Sequence, residues 1–404
     1  MSRLEDCFNL HDFVEAARLR LPRPLFHYID GGADDERTKR ANAEAFDHYS
    51  LVPRYLRDIR NLDMRRTVFG CALEWPLLLS PTGMTRVFHP AGEIAVAREA
   101  ARAGVAYSLS TMATTSIEAI TQVSSGPKIY QLYLLNDDAL NFQMIDRCRA
   151  AGFDAICLTV DTVVAGNRER DLRHGLTVPP RLGRRNLLAF AQRPAWCLGY
   201  LAGGGISLPN VPAGDGGNLG TLAAFFAAKM EQNITWARVE RLMQHWGKPF
   251  VIKGLQSVED ARNAAAAGVS GIIVSNHGGR QLDGGAATID LIANIVDAVG
   301  DQLEVVLDGG IRRGSHIVKA LAMGARACMI GRPYLYGLSA FGQPGVQRVL
   351  ELLRQETART LGLLGCGNLD ELNRQHIVAA SRLPEFLTAA APHGTSPTQL
   401  RSVK

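Results

Sequence analysis

The chain has 404 residues, 47% of them hydrophobic and 21% charged, with a net charge of +5 and a pI near 8.9. That composition supports a large buried core and excludes a disordered or fibrous chain. The mild positive charge comes without any Lys/Arg block interleaved with aromatics, so nucleic acid is excluded as an expected partner, and no run reaches the ~18 apolar residues of a membrane span.

The chain starts Met1-Ser2-Arg3-Leu4-Glu5-Asp6, polar and acidic, unlike a secretory signal. Seven cysteines are scattered without a CxxC pair. An odd, dispersed set fits reduced thiols in a cytosolic compartment, and no metal site is expected. Residues 10–22 read as a helix with Leu10, Phe13, Val14, Ala17 and Leu21 on one face and Pro22 closing it. Next comes Phe26-His27-Tyr28-Ile29-Asp30-Gly31-Gly32-Ala33, in which Tyr28 stands beside a helix end.

From residue 77 a pattern repeats. Short apolar runs occur at Leu77–Leu79, Val105–Leu109, Lys128–Tyr133, Ala155–Val160, Phe250–Lys253, Gly271–Val274, Glu304–Leu307 and Ala327–Ile330. Alanine-rich helical stretches follow them, among them Glu93–Ala103, Asp138–Ala151, Val258–Ala267, Ile289–Val299 and Ser315–Met323. Apolar strands alternating with amphipathic helices imply a parallel sheet covered on both faces. Eight such units predict a closed (β/α)8 barrel of the TIM type, preceded by an N-terminal helical segment and carrying a long insertion between strands 4 and 5. An open dinucleotide-binding sheet would need GxGxxG at its first turn, and none is present.

In such a barrel the chemistry gathers at the C-terminal ends of the strands. Polar groups stand at all eight: Ser80-Pro81-Thr82-Gly83, Ser110-Thr111-Met112, Gln131-Leu132-Tyr133, Thr159-Val160-Asp161, Lys253, Ser275-Asn276-His277, Asp308-Gly309-Gly310 and Gly331-Arg332. The stretch Ser275-Asn276-His277-Gly278-Gly279-Arg280-Gln281-Leu282-Asp283-Gly284 is the most informative. An imidazole able to accept a proton near neutral pH lies three residues from a guanidinium able to grip a carboxylate with two hydrogen bonds. Alone, this is equally a polar turn with a solvated arginine. Glycines at 309, 310 and 331 beside Arg312 and Arg332 suit the anion site that recurs after strands 7 and 8.

The decapeptide, together with Asp308-Gly309-Gly310-Ile311-Arg312-Arg313-Gly314 and Ile330-Gly331-Arg332-Pro333, resembles the FMN-dependent 2-hydroxy-acid oxidase and dehydrogenase family, in order from about Asp12 to about Ile377. The resemblance implies FMN as cofactor, a small 2-hydroxy acid as substrate, and a homotetramer. It implies flavin contacts from Pro81, Thr82, Gly83, Ser110, Gln131, Thr159, Lys253 and Ser275. Asp308 would meet the ribityl chain, and Gly310, Arg312, Gly331 and Arg332 the phosphate. Tyr28 and Arg280 would bind the substrate carboxylate, with Tyr133 at the reacting carbon's oxygen and Arg168 offsetting negative charge. His277 would be the base, with Asp161 orienting it.

Two features point to the mandelate and lactate dehydrogenase branch. Position 83 is Gly, where the family's oxidases usually carry Ala. A quinone or similar electron acceptor is therefore expected, with O2 and release of hydrogen peroxide as the alternative. The insertion, about residues 176–230, contains Arg181, Arg184, Arg185 and Arg193 and no acid across 181–214, beside Leu187, Leu188, Phe190, Trp196, Leu198, Tyr200 and Leu201. Cations beside aromatics and leucines suit a bilayer surface, reached through 181–206 on the inner face of the cell membrane. A lid or a subunit contact are the other readings. Met112 and Ala165 leave room for a substrate side chain larger than hydrogen. Residues 1–384 are expected to form one domain, and 385–404 a loosely ordered tail.

Overall fold

The computed structural model describes residues 3–175, 184–203, 206–211 and 229–382. Residues 181–183 and 204–205 of the predicted surface segment and the whole predicted tail lie outside them.

Eight parallel strands close into a barrel. They are β1 (Leu77–Leu79), β2 (Ala106–Ser110), β3 (Lys128–Leu132), β4 (Ala155–Thr159), β5 (Phe250–Leu255), β6 (Gly271–Val274), β7 (Glu304–Asp308) and β8 (Ala327–Ile330). β8 pairs with β1 through Cys328 opposite Leu77 and Ile330 opposite Leu79, which closes the cylinder. The expected (β/α)8 barrel is therefore the fold, with strand ends within two residues of those read from the sequence.

Because successive side chains alternate faces, one parity of each strand points inward. At the N-terminal end that parity is apolar: Leu78, Ala106, Ile129, Cys157, Val251, Ile273, Val306 and Met329 form one buried cluster. Two residues further along most strands the same parity turns polar, giving Ser80, Ser110, Gln131, Thr159, Lys253, Ser275 and Asp308, all buried. The barrel is thus packed with hydrocarbon below and floored with hydrogen-bonding groups above. A two-stranded hairpin, Arg66–Val68 with Cys71–Leu73, inserts Val68, Phe69 and Leu73 into the lower cluster and plugs that end.

The N-terminal segment makes helices Leu10–Arg20, Arg23–Asp30 and Arg37–Glu44. Asn9 caps the first by accepting from the His11 and Asp12 amides. Its buried face, Leu10, Phe13, Ala16 and Ala17, packs on helix Arg332–Phe341, where the rings of Phe13 and Phe341 meet edge to face at 6.0 Å. That docking lays the second helix, with Tyr28, across the barrel mouth. A second small sheet, Tyr49–Leu51 against Ile377–Ala379, ties the N-terminal segment to the chain's far end. Neither small sheet was expected. After β4 comes the short helix Glu169–Arg173; the insertion contributes helices Arg184–Ala191 and Pro194–Ala202, and helix Trp236–Trp246 leads into β5. All seven cysteines are free.

Candidate active site

A cavity of about 910 Å³ opens at the C-terminal end of the barrel. Its floor is built from the inward residues just described. Lys253 is fully enclosed; its Nζ lies 2.8 Å from Asp308 Oδ2 and donates to Ser275 Oγ at 2.8 Å. Ser275 Oγ in turn donates to Asp308 Oδ2 and Ser80 Oγ to Asp308 Oδ1, both at 2.8 Å. Burial pushes the Asp308 carboxyl up, but the Lys253 ammonium outweighs it and holds the group below its usual range. Burial likewise disfavours the Lys253 cation, and Asp308 and Asp161 reverse that, raising it. Both are therefore ionised at neutral pH, and the floor carries a fixed ammonium.

His277 follows β6 in a left-handed conformation, φ 56°. Its Nδ1 lies 3.0 Å from Asp161 Oδ1, at the end of β4. Burial depresses the His277 pKa and wins over Asp161, which raises it; the imidazole is neutral at pH 7 and able to take a proton. Asp161 approaches so closely that a Cβ on Gly254 would lie 2.7 Å from the Asp161 Cβ; Gly254, at φ +114°, makes that approach feasible. Gln281 braces the pair from the side. Its Nε2 donates to the backbone oxygens of Asp161 at 2.8 Å and Val164 at 2.9 Å. The sequence reading gave Gln281 no role, although it sits next to Arg280.

Arg280 and Arg168 reach the same cavity from different loops. Arg280 Nη1 donates to the backbone oxygens of Tyr28 at 2.6 Å and Gly31 at 3.1 Å, with its guanidinium over the Tyr28 ring at 4.9 Å. Burial, then repulsion by Arg168, lowers its pKa to about 10, so it stays a cation without a carboxylate partner among the described residues. Arg168 is held more loosely, through Gln281 Oε1 at 3.4 Å. Burial first and the Asp161 charge second push the Tyr133 phenol up to about 12, which keeps it a hydrogen-bond donor. Asp171 was also missed: its carboxyl is buried beside these arginines, its Oδ1 has no partner, and burial raises its pKa.

Of the expected site residues, Tyr28, Tyr133, Arg168, His277 and Arg280 line the cavity. So do Pro81, Thr82, Gly83 and Ser110, and at the other end Asp308, Gly310, Arg312, Gly331 and Arg332. Gln131, Thr159 and Ser275 form the floor beneath these residues, and Asp161 stands behind His277. Gln131 Oε1 accepts from Ser110 Oγ at 2.9 Å, whereas Gln131 Nε2 and Thr159 Oγ1 are buried without any partner. Buried polar atoms are normally paired, so two orphans in the cavity floor fit a ligand rich in ring nitrogens and oxygens. Gly309 and Gly310 take φ of +124° and +77°, and a Cβ on Gly310 would lie 1.8 Å from the Asn42 oxygen. Only glycine lets this loop turn its amides beside Arg312 and Arg332, as an anion site needs. Floor, ammonium and anion corner together fit FMN.

The sequence pattern of the family described as FMN-dependent dehydrogenase matches residues 17–379. The chain belongs to that family. Its cofactor is FMN. Glycolate oxidase 1 of Zea mays is 38% identical over 374 residues, covering 92% of this chain and 96% of the relative. An L-lactate oxidase of Nostoc sp. is 38% identical over 377 residues, covering 92% and 98%. Among solved structures, a monotopic membrane (S)-mandelate dehydrogenase superposes with a TM-score of 0.89 at 34% identity, over 93% of this chain and all of the other. These findings agree with the resemblance seen in the motifs.

Proposed function

We propose that this chain oxidises an L-2-hydroxy acid to the 2-oxo acid, with His277 as base. The observation that carries the reading is the convergence of a neutral imidazole backed by a carboxylate, two guanidiniums and a buried ammonium on one cavity. Arg280 and the Tyr28 hydroxyl bind the substrate carboxylate, which supplies the counter-charge that Arg280 lacks. The Tyr133 hydroxyl donates to the substrate's 2-oxygen. Arg168 offsets negative charge that develops there. His277 accepts one proton from the substrate, and Asp161 stabilises the resulting imidazolium. Bound FMN would supply the acceptor for the electron pair and for the substrate's second hydrogen. Pro81, Thr82, Gly83, Ser110, Gln131 and Thr159 would hold its ring, Lys253 and Ser275 its polar edge, Asp308 its chain, and Gly310, Arg312, Gly331 and Arg332 its phosphate. Met112 and Ala165, in place of a bulkier ring, line the cavity, so we favour lactate- to mandelate-sized acids over glycolate.

As electron acceptor we favour a quinone. Gly83 supports this, as does the exposed apolar row Leu187, Leu188, Leu198 and Leu201 on the insertion, 55–74% exposed, which suits contact with a membrane. The similar mandelate dehydrogenase is itself a monotopic membrane protein. No described helix is long and apolar enough to cross a membrane. The two oxidases among the relatives favour O2 as the second reading. We keep the homotetramer and the single domain over 1–384 as part of the proposal. Anaerobic addition of L-lactate or L-mandelate should bleach the flavin absorbance of the holoprotein; no bleaching with these or glycolate overturns the reading. A peroxide assay run against a quinone-dye assay separates the two acceptors.

A further inference from the structure

Three consecutive residues, His277, Gly278 and Gly279, have φ of 56°, 65° and 72°. The imidazole thus rides on a backbone turn that a non-glycine residue adopts only under constraint, at a cost of about 1–3 kcal/mol that the surroundings must offset. The constraint is visible. The Gly279 amide donates to the Asn276 backbone oxygen at 2.9 Å, which closes the turn around His277, and also to Asn276 Oδ1 at 3.2 Å, which braces it. Asn276 Nδ2 donates to the Ala286 oxygen at 3.0 Å, across the rest of the loop. The same carboxamide is locked by a second one. Asn42 Nδ2 donates to Asn276 Oδ1 at 2.7 Å, and Asn276 Nδ2 donates to Asn42 Oδ1 at 2.8 Å. Asn42 Oδ1 also accepts from the Thr288 amide at 3.3 Å. Both side chains are almost wholly buried, 2% and 4% exposed. Removing either one leaves the other with unpaired polar atoms in a dry site.

We propose that Asn42, on the N-terminal helix Arg37–Glu44, is a positioning residue for His277, acting through Asn276. Asn42 does not line the cavity; its backbone oxygen backs Gly310 and its carboxamide reaches Asn276. It fixes the carboxamide that braces the left-handed turn from the Gly279 amide to the Ala286 oxygen, and with it the aim of the His277 ring at substrate. The N-terminal segment is in this way part of the catalytic apparatus rather than a cover over it. The assignment rests on the proposed role of His277 as base.

The test uses the FMN-loaded full chain. Asn42→Ala should lower kcat by about 10²-fold, the size expected for a misaimed base, while KM changes less than about twofold. In a His277→Gln background the same change should cost little, because there is no base left to aim. Arg40→Ala, on the same helix but exposed, should leave both constants as they are. Hydrogen exchange gives a reading independent of turnover: the peptide covering 275–286 should exchange faster in Asn42→Ala, and a peptide covering β4 should not. An unchanged 275–286 peptide, or an equal fractional loss of kcat in both backgrounds, overturns the proposal. Failure of the wild-type holoprotein to oxidise any 2-hydroxy acid would instead strike the functional reading, and the exchange result would still decide whether Asn42 holds the turn.

Discussion

The barrel floor and the insertion differ in how their side chains are committed. In the floor the charged groups are buried and answered, Lys253 by Asp308 and Ser275 and Asp308 by Ser80 as well, and the neutral His277 above them is answered by Asp161. In the described part of the insertion, bonds such as Trp196 Nε1 to the Val87 oxygen at 3.0 Å and Arg193 Nε to the Leu21 oxygen at 3.3 Å hold the inner side, while Leu188, Leu198 and Leu201 stand 60–74% exposed. The first region is built to hold atoms at fixed positions, where low dielectric makes each charge count. The second presents surface, where no single contact matters much. Substitutions in the two should therefore fail in different ways: loss of rate or fold in the floor, loss of location in the insertion.

The largest effect is expected at His277. His277→Gln keeps the side chain polar and similar in size but removes the base, so kcat should fall by about 10⁴-fold, the upper end of what general base catalysis supplies. Flavin absorbance of the purified variant should match wild type, since none of the proposed flavin contacts is made by His277. A near-normal kcat would remove His277 from the mechanism. Next in size is Lys253→Met, which strands the buried Asp308 carboxylate. Urea unfolding should show a loss of about 3–5 kcal/mol, as when one member of a buried pair is removed. Asp308→Asn added to it should recover part of that loss, because the unpaired charge is gone.

The sequence made the floor legible and left its supports obscure, for a physical reason. Strands of a parallel barrel are apolar runs with a fixed inside parity, so Ser110, Thr159 and Lys253 announce themselves by standing at the ends of such runs. Tyr28 has no such signal; it arrives from a separate helix, and only the family resemblance suggested it. Asn42 and Asn276 lie 234 residues apart and each reads as an ordinary turn or helix polar residue. Nothing local marks a carboxamide pair that forms only after the N-terminal helices dock. The hairpin Arg66–Val68 and Cys71–Leu73 escaped notice because three-residue strands carry no measurable period.

A smaller, directional effect sharpens the picture of how the floor is tuned. Burial lowers the His277 pKa from its ordinary value and Asp161 partly restores it. The acid limb of kcat/KM, which reports the free enzyme's base, should lie below the usual histidine value of about 6.5. Asp161→Asn removes the restoring charge, so that limb should move to still lower pH. In the same variant kcat should drop about 10²-fold, because the imidazolium formed during turnover is no longer offset. A limb that moves upward would mean that solvent entry, not the carboxylate, governs the imidazole.

The smallest effect on fold and rate is expected where the consequence for location is complete. Replacing Leu187, Leu188, Leu198 and Leu201 together by Gln touches side chains already in water, so stability should change by no more than about 0.5 kcal/mol per site. Turnover with a soluble dye acceptor should stay at the wild-type level, because none of the four lines the cavity. Sedimentation with vesicles containing anionic lipid should change from bound to free. Apolar burial contributes about 25 cal/mol per Å², and four leucines are a large part of what this face can offer a bilayer. If the variant and the wild type both stay in the supernatant, the leucine row is not a membrane surface, and the quinone reading loses one of its two supports in this chain. If both sediment, contact is made elsewhere on the insertion. Only a split between them, at equal turnover, separates the part of the molecule that does chemistry from the part that chooses where it is done.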